Sequence, residues 1–136
     1  MEIKKQIQSL FLLVGALAGC GAKGGVYEDV TAAEAFKILE TTGTFLLDVR
    51  TEGEYQASHL ANATLVPVQE LEQRLADLPA DKERPVLVYC RSGNRSVSAS
   101  KILGQQGYKK VMNLKGGIQE WTRQGLPVES PQRNPG

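Results

Sequence analysis

Cysteine and histidine are scarce in this chain of 136 residues, which carries two cysteines, Cys20 and Cys90, and one histidine, His59. At most one disulfide could form, and the few nitrogen and sulfur ligands are too badly spaced for a zinc site. An excess of one charge is also missing: 16 basic residues stand against 15 acidic, a formal net charge of +1. No nucleic-acid surface is expected from such a balance. There are no internal repeats and no phosphate- or dinucleotide-binding glycine pattern after the early apolar runs. No metal and no cofactor are expected. A chain of this length can bury roughly two-thirds of its unfolded surface in one core, so disulfide staples are unnecessary.

The first residues have their own character. Lys4 and Lys5 precede an apolar segment from Leu10 to Ala18, too short to span a bilayer but suited to the apolar region of a secretory signal. It runs into Leu17-Ala18-Gly19-Cys20, which resembles a bacterial lipoprotein signal, where the cysteine is lipidated and becomes the first mature residue. Each buried methylene of an acyl chain contributes about 0.8 kcal/mol of membrane affinity, so several chains on Cys20 would anchor the protein durably. Residues 1–19 are therefore expected to be a lipoprotein signal peptide and residues 20–25, rich in glycine, a flexible tether. The protein is expected to be exported, lipid-anchored to the bacterial cell envelope, and to face the periplasm or the cell exterior. Of the charged residues, Glu2, Lys4 and Lys5 fall in the signal, leaving the remainder balanced. With Cys20 acylated, Cys90 is the single thiol, and no intramolecular disulfide can form.

Elements alternate between the two periodicities. Thr31 and Glu34 have capping-box spacing, opening a helix with Ala35, Ile38 and Leu39 inward and Gly43 closing it. Phe45 to Val49 reads as a buried strand, a short helix carries Glu54 and Tyr55, and Thr64 to Val66 reads as a brief strand. Leu71, Leu75 and Leu78 form the inner stripe of a further helix. The apolar run that ends on Cys90 reads as a buried strand after the polar connection from Pro79 to Pro85, and the segment from Ser96 to Gly104 suits a helix. A last strand runs from Val111 to Leu114, and Gly116-Gly117 turns into a helix carrying Ile118 and Trp121. Such alternation predicts an α/β fold, a three-layer sandwich with a mainly parallel central sheet and chemistry at the strands' carboxyl ends. The folded domain is expected over residues 26–129, with a disordered tail at 130–136.

The chemistry centres on Cys90-Arg91-Ser92-Gly93-Asn94-Arg95-Ser96. An apolar strand ends directly on a cysteine, and a tight loop leads into a helix, so the thiol lies where helix N-terminal amides gather partial positive charge. A thiol there should ionise easily. Arg91, Arg95 and the loop amides would stabilise the thiolate. Gly93 supplies freedom at positive φ, Asn94 tolerates it, and Ser96 is expected to cap the following helix. A buried core cysteine is the bland alternative, but two arginines and a glycine in the next five positions make the loop electropositive. Asp48 and Arg50, at the end of another strand, read as a pair bracing a loop of the site. His59 and Trp121 read as structural, Lys115 and Arg123 as solvated.

Cys90 to Ser96 resembles the active-site loop of a rhodanese domain, a single-domain sulfurtransferase. Phe45-Leu46-Leu47-Asp48-Val49-Arg50 resembles the family's strand ending in Asp-Val-Arg. Glu54-Tyr55 through His59-Leu60, Ala61-Asn62-Ala63 and Val66-Pro67 resemble its next block, and Gly107-Tyr108 through Gly116-Gly117-Ile118 and Trp121 its last. Ser58 and Asn62 depart from the pattern, standing where the family has glycine; Asn enters left-handed conformations at modest cost.

The resemblance implies that Cys90 takes the sulfane sulfur of a small anionic donor such as thiosulfate. It passes that sulfur to a thiophilic acceptor, cyanide in the laboratory and a thiol or partner protein in the cell. Arg91, Ser92, Gly93, Asn94, Arg95 and Ser96 would bind the substrate. Two alternatives remain. A cysteine-dependent phosphatase or arsenate reductase shares the architecture, but its loop is Cys-x5-Arg, whereas Cys90 to Arg95 is Cys-x4-Arg. A non-catalytic sulfur carrier would hand its persulfide to a docked protein.

Overall fold

A computed structural model describes residues 27–131. The expected signal at 1–19, Cys20, the tether at 20–25 and residues 132–136 of the expected tail lie outside the described residues.

Among the described residues five short strands build one sheet: β1 (Glu28–Val30), β2 (Phe45–Asp48), β3 (Thr64–Leu65), β4 (Val86–Tyr89) and β5 (Val111–Leu114), of which β4 and β5 are buried throughout and the edge strands β1 and β3 are more polar and more exposed. Their spatial order is β1-β5-β4-β2-β3, and every pairing is parallel. Among the described residues four α-helices complete the α/β fold: α1 (Ala32–Thr41), α2 (Glu52–Ala57), α3 (Asn94–Gln105) and α4 (Gly117–Arg123).

The central strand β4 is buried along its whole length, as an apolar run covered on both faces must be. Val86, Val88 and Cys90 face one core, with Ala99 and Leu103 of α3 and with Leu71 and Leu78. Leu87 and Tyr89 face the other, with Ala35 of α1, Leu60, and Ile118 and Trp121 of α4. Period-two alternation therefore divides β4 between two cores, and the expected three layers are present. Trp121 is core; its indole N–H donates to the Pro127 carbonyl at 2.9 Å.

Connectivity decides where chemistry can occur. From β2 the chain moves outward to β3, whereas from β4 it moves the opposite way to β5. The carboxyl ends of β2 and β4 thus flank a topological switch point, where open parallel sheets leave a crevice. Asp48 of β2 is in register with Tyr89 of β4, so the residues after each strand, Val49-Arg50 and Cys90-Arg91, emerge side by side.

Helix α1 begins as its sequence requires: the Thr31 hydroxyl accepts the Glu34 N–H at 3.1 Å, and the Glu34 carboxylate accepts the Thr31 N–H at 2.8 Å. The same device opens α2, with Thr51 and Glu54. At its other end α1 departs from expectation. Gly43 does not close it; Thr42 does, with its backbone N–H and hydroxyl both donating to the Ile38 carbonyl. A side chain able to satisfy an orphan carbonyl removes the need for a left-handed glycine.

The segment with Leu71, Leu75 and Leu78 is also not an α-helix. It forms two 3-10 turns, Val68–Gln73 and Leu75–Asp77, broken at Arg74. The apolar residues keep their inward direction because a 3-10 turn aligns positions three apart, Val68 with Leu71 and Leu75 with Leu78. At the break, the Arg74 guanidinium bonds Asp77, Glu70 and the Leu65 carbonyl.

Of the two departures from the family pattern, Asn62 has φ of 68°, the left-handed conformation for which glycine is otherwise used. Ser58 is extended, a conformation open to any residue, and its carbonyl is what the site uses.

Candidate active site

Strand β4 carries Cys90 to the floor of the crevice, where the residue is 1% exposed. The chain then reverses through Gly93, whose φ of 124° suits glycine, and α3 starts at Asn94 with Gly93 as its N-cap. Ser96 is therefore not the cap that its sequence position suggests. It is the buried third residue of α3, because the glycine turn starts the helix earlier than a serine before an apolar run implies. Its hydroxyl oxygen lies 3.4 Å from Cys90 Sγ and donates to the Gly93 carbonyl at 3.1 Å.

Cys90 Sγ accepts the Gly93 N–H at 3.0 Å. The neutral thiol donates to Ser96 Oγ; once the sulfur ionises, rotation of the Ser96 hydroxyl hydrogen turns the same contact into a donor to the thiolate. Burial pushes the thiol pKa up. Hydrogen bonds from the Ser96 hydroxyl and from the backbone N–H groups of Ser96, Gly93 and Ser92 outweigh it, so the thiol is held below its ordinary value.

The Ser92 amide is oriented from the opposite edge of the loop, which is tied down. The Ile118 N–H donates to the Cys90 carbonyl at 2.9 Å, and the Gln119 N–H to the Arg91 carbonyl at 3.1 Å. In a planar trans peptide the C=O and the next N–H point opposite ways, so anchoring both carbonyls to α4 turns the Arg91 and Ser92 N–H groups away from that helix. This approach depends on Gly117: a Cβ built there would lie 2.4 Å from the Arg91 oxygen and 2.5 Å from the Cys90 oxygen.

The arginines divide their work. Both terminal nitrogens of Arg95 are taken by Glu54, at 2.7 and 2.9 Å. Arg95 thereby ties α3 to α2 and holds the Glu54 carboxyl down to about 2. Arg50 is 4% exposed and Asp48 0%; they form a bidentate pair whose shortest contact is 2.7 Å. The Arg50 guanidinium also donates to the Ser58 carbonyl at 2.7 Å and lies over the Tyr89 ring at 5.4 Å. Breaking so buried a pair would strand a charge. Arg91 is exposed, as are Ser92 and Asn94.

An open cleft of about 710 Å³ lies beside the loop, with Arg50, Arg91 and Arg123, Glu54, and Ser58 and Gln119 among its lining residues. Sequence reasoning placed Glu54 only on a short helix and Gly117 only in a turn. The spacing of Thr51 and Glu54 signals the cap, but nothing local marks Arg95, 41 residues away, as a partner. His59 is held apart from the thiol's contacts, stacked on Tyr55 at 3.8 Å and close to Glu129.

The family described as Rhodanese-like domain matches residues 31–124. The chain belongs to the rhodanese-like family. A sulfurtransferase of Allochromatium vinosum is 40% identical over 96 residues, covering 71% of this chain and 88% of that protein. The thiosulfate sulfurtransferase GlpE of Coxiella burnetii is 35% identical over the same length and shares of chain. A crystal structure of a rhodanese-related protein from Thermoplasma volcanium superposes on the rhodanese-like domain with a TM-score of 0.69 and 32% identity, over 76% of this chain and 98% of that one. At the level of family, the rhodanese-like domain groups with sulfurtransferases.

Two expectations follow from the geometry. Gly117→Ala should lower stability in urea by about 2–5 kcal/mol, through clash and a strained backbone, while Gly125→Ala, with φ of 77° and open space around it, should lose about 1 kcal/mol. Equal losses would contradict the close approach. For Glu54, a carboxyl whose folded pKa is depressed contributes stability above its unfolded pKa and loses it as pH falls through the folded one. The stability gap between wild type and Glu54→Gln should therefore stay constant above about pH 4.5 and close towards pH 2. A gap independent of pH over that window would show that the ion pair contributes nothing.

Proposed function

We propose that this rhodanese-like domain is a sulfurtransferase that uses Cys90 as its nucleophile and thiosulfate or a similar sulfane as its donor. The single observation that carries this reading is the Gly93 N–H held 3.0 Å from Cys90 Sγ at the start of α3, part of an amide cradle suited to an anionic sulfur. The thiolate attacks the outer sulfur of thiosulfate; the sulfur–sulfur bond of the donor breaks, sulfite leaves with the electron pair, and Cys90 carries a persulfide. The backbone amides that hold the thiolate then face the terminal persulfide sulfur, while the exposed Arg91 attracts the incoming dianion. A thiophilic acceptor takes the outer sulfur and returns Cys90 to its thiolate. No cofactor has a part in this sequence. The resemblance to a thiosulfate sulfurtransferase supports the choice of donor.

A phosphatase reading has less support. A phosphate-cradling arginine must present its fork to the loop, and both terminal nitrogens of Arg95 are committed to Glu54. The loop is also one residue shorter than the Cys-x5-Arg cradle.

We further propose that the protein works in the bacterial cell envelope, anchored by lipid on Cys20, since Leu17-Ala18-Gly19-Cys20 follows a basic and then an apolar stretch.

Incubating the protein with thiosulfate should add one sulfur atom to its intact mass, and Cys90→Ser should show no gain. Absence of the adduct together with phosphate release from an aryl phosphate would reverse the choice between the two chemistries. An adduct that turns over only with a docked protein would identify a carrier. Cells grown with labelled palmitate should incorporate label into the full chain and lose it in Cys20→Ala; an unlabelled, freely released protein would refute the anchor.

A further inference from the structure

Resting on the lipid anchor at Cys20, we propose that the edge of the sheet where its strands begin is a docking surface for the anionic phospholipid headgroups of the membrane, so that Cys90 opens on the side turned away from the bilayer. In an all-parallel sheet every strand starts on one edge and ends on the other. The chain enters the fold at the starting edge, through Tyr27 and β1, whereas Cys90 follows the last residue of β4 at the other. Seven peptide units separate Cys20 from Tyr27, which bounds their distance at about 25 Å. Acyl chains on Cys20 therefore hold the bilayer within reach of the starting edge.

That edge carries unpaired cations. Lys82 and Arg84 precede β4, and Lys109 and Lys110 precede β5. Backbone bonds set the two connections side by side: the Lys109 N–H donates to the Lys82 carbonyl at 3.0 Å, and the Val86 N–H to the Lys110 carbonyl at 2.8 Å. None of the four forms an ion pair among the described residues. The connection from Gln106 to Lys110 holds no acidic residue. In the other connection the Asp81 carboxylate accepts the Glu83 N–H at 2.9 Å, which turns it back on its own chain. Glu83, Glu28 at the start of β1 and Glu40 in the last turn of α1 pair with none of the four. Lys82 Nζ lies over the Tyr108 ring at 4.0 Å and the Arg84 guanidinium over the Phe45 ring at 5.5 Å, so these two charges are held in place. At the opposite edge Arg50, Arg95 and Arg123 are each taken by a carboxylate, and Arg91 and Lys115 are left unpaired.

Distance makes the two edges unequal before a membrane. The field of an anionic leaflet falls off within a Debye length, about 8 Å at physiological ionic strength. Strands β2, β4 and β5 have four residues each and rise about 13 Å, so a bilayer that meets one edge leaves the other outside its field. Few cations are needed, because a tethered surface meets the membrane at high effective concentration. The starting edge can dock while the end that carries Cys90 stays open to solutes.

The test uses the full chain, expressed in a bacterial host, purified in detergent and reconstituted into vesicles. One set is phosphatidylcholine alone; the other contains about one part in three of phosphatidylglycerol. Lysines are acetylated with acetic anhydride and read by peptide mass, with the exposed Lys115, which follows β5 at the opposite edge, as internal reference. Relative to Lys115, Lys109 should react about fivefold more slowly on the anionic vesicles than on the neutral ones. The difference should vanish in about 1 M salt and shrink when Arg84→Gln and Lys110→Gln are combined. Equal ratios on the two vesicle types, with acylated protein bound to both, overturn the docking surface and leave the anchor standing. Slowing of Lys115 in place of Lys109 reverses the orientation and overturns it too. A full chain that carries no acyl mass overturns the anchor and this surface together.

Discussion

The constraint on which the site depends is the anchoring of two carbonyls, those of Cys90 and Arg91, to the N-terminal amides of α4. A thiolate needs donors in a place that water reaches poorly, and backbone amides serve only if their peptide planes are turned towards the sulfur. Holding the Arg91 carbonyl from behind sets the Ser92 amide, and the turn at Gly93 sets that residue's own N–H, before any substrate arrives, so no reorganisation is needed when charge appears. Gly117 makes the approach close enough, and Gly93 makes the chain turn tightly enough. The two glycines come from different connections of the sheet, after β5 and after β4, and their turns lie against each other because those strands are parallel neighbours.

Around this frame most of the charged side chains are paired with one another. Arg50 with Asp48 braces the end of β2 and reaches Ser58; Arg95 with Glu54 ties α3 to α2. These pairs hold the walls of the crevice at fixed distances. The thiolate is consequently stabilised by dipoles rather than by an arginine fork, and the exposed Arg91 is left to meet anions from solution. Parallel strands supply the geometry: their carboxyl ends converge at a switch point, and helix N-termini follow them.

Much of this was legible in the sequence, and what was not has identifiable causes. The strand ending on Cys90, the glycine of the loop and the capping box of Thr31 and Glu34 are local patterns, read correctly because a few neighbouring residues determine them. Ser96 was misplaced because a serine before an apolar run satisfies the rule for a cap, while the true start depended on how Gly93 turns under Gly116. The 3-10 turns after β3 escaped because their leucine spacing suits an α-helix equally well. The partner of Arg95 was invisible for a different reason. Glu54 belongs to another helix, and only the assembled sheet brings the two together.

The most direct test of the central claim is the pH dependence of Cys90 alkylation by iodoacetamide, since the reaction rate follows the thiolate fraction. The expected midpoint lies below the ordinary cysteine value of about 8.5, and Ser96→Ala should raise it by removing the hydroxyl that meets the sulfur. A midpoint at or above the ordinary value, unmoved by Ser96→Ala, would mean that burial prevails over the amide cradle and would contradict the account.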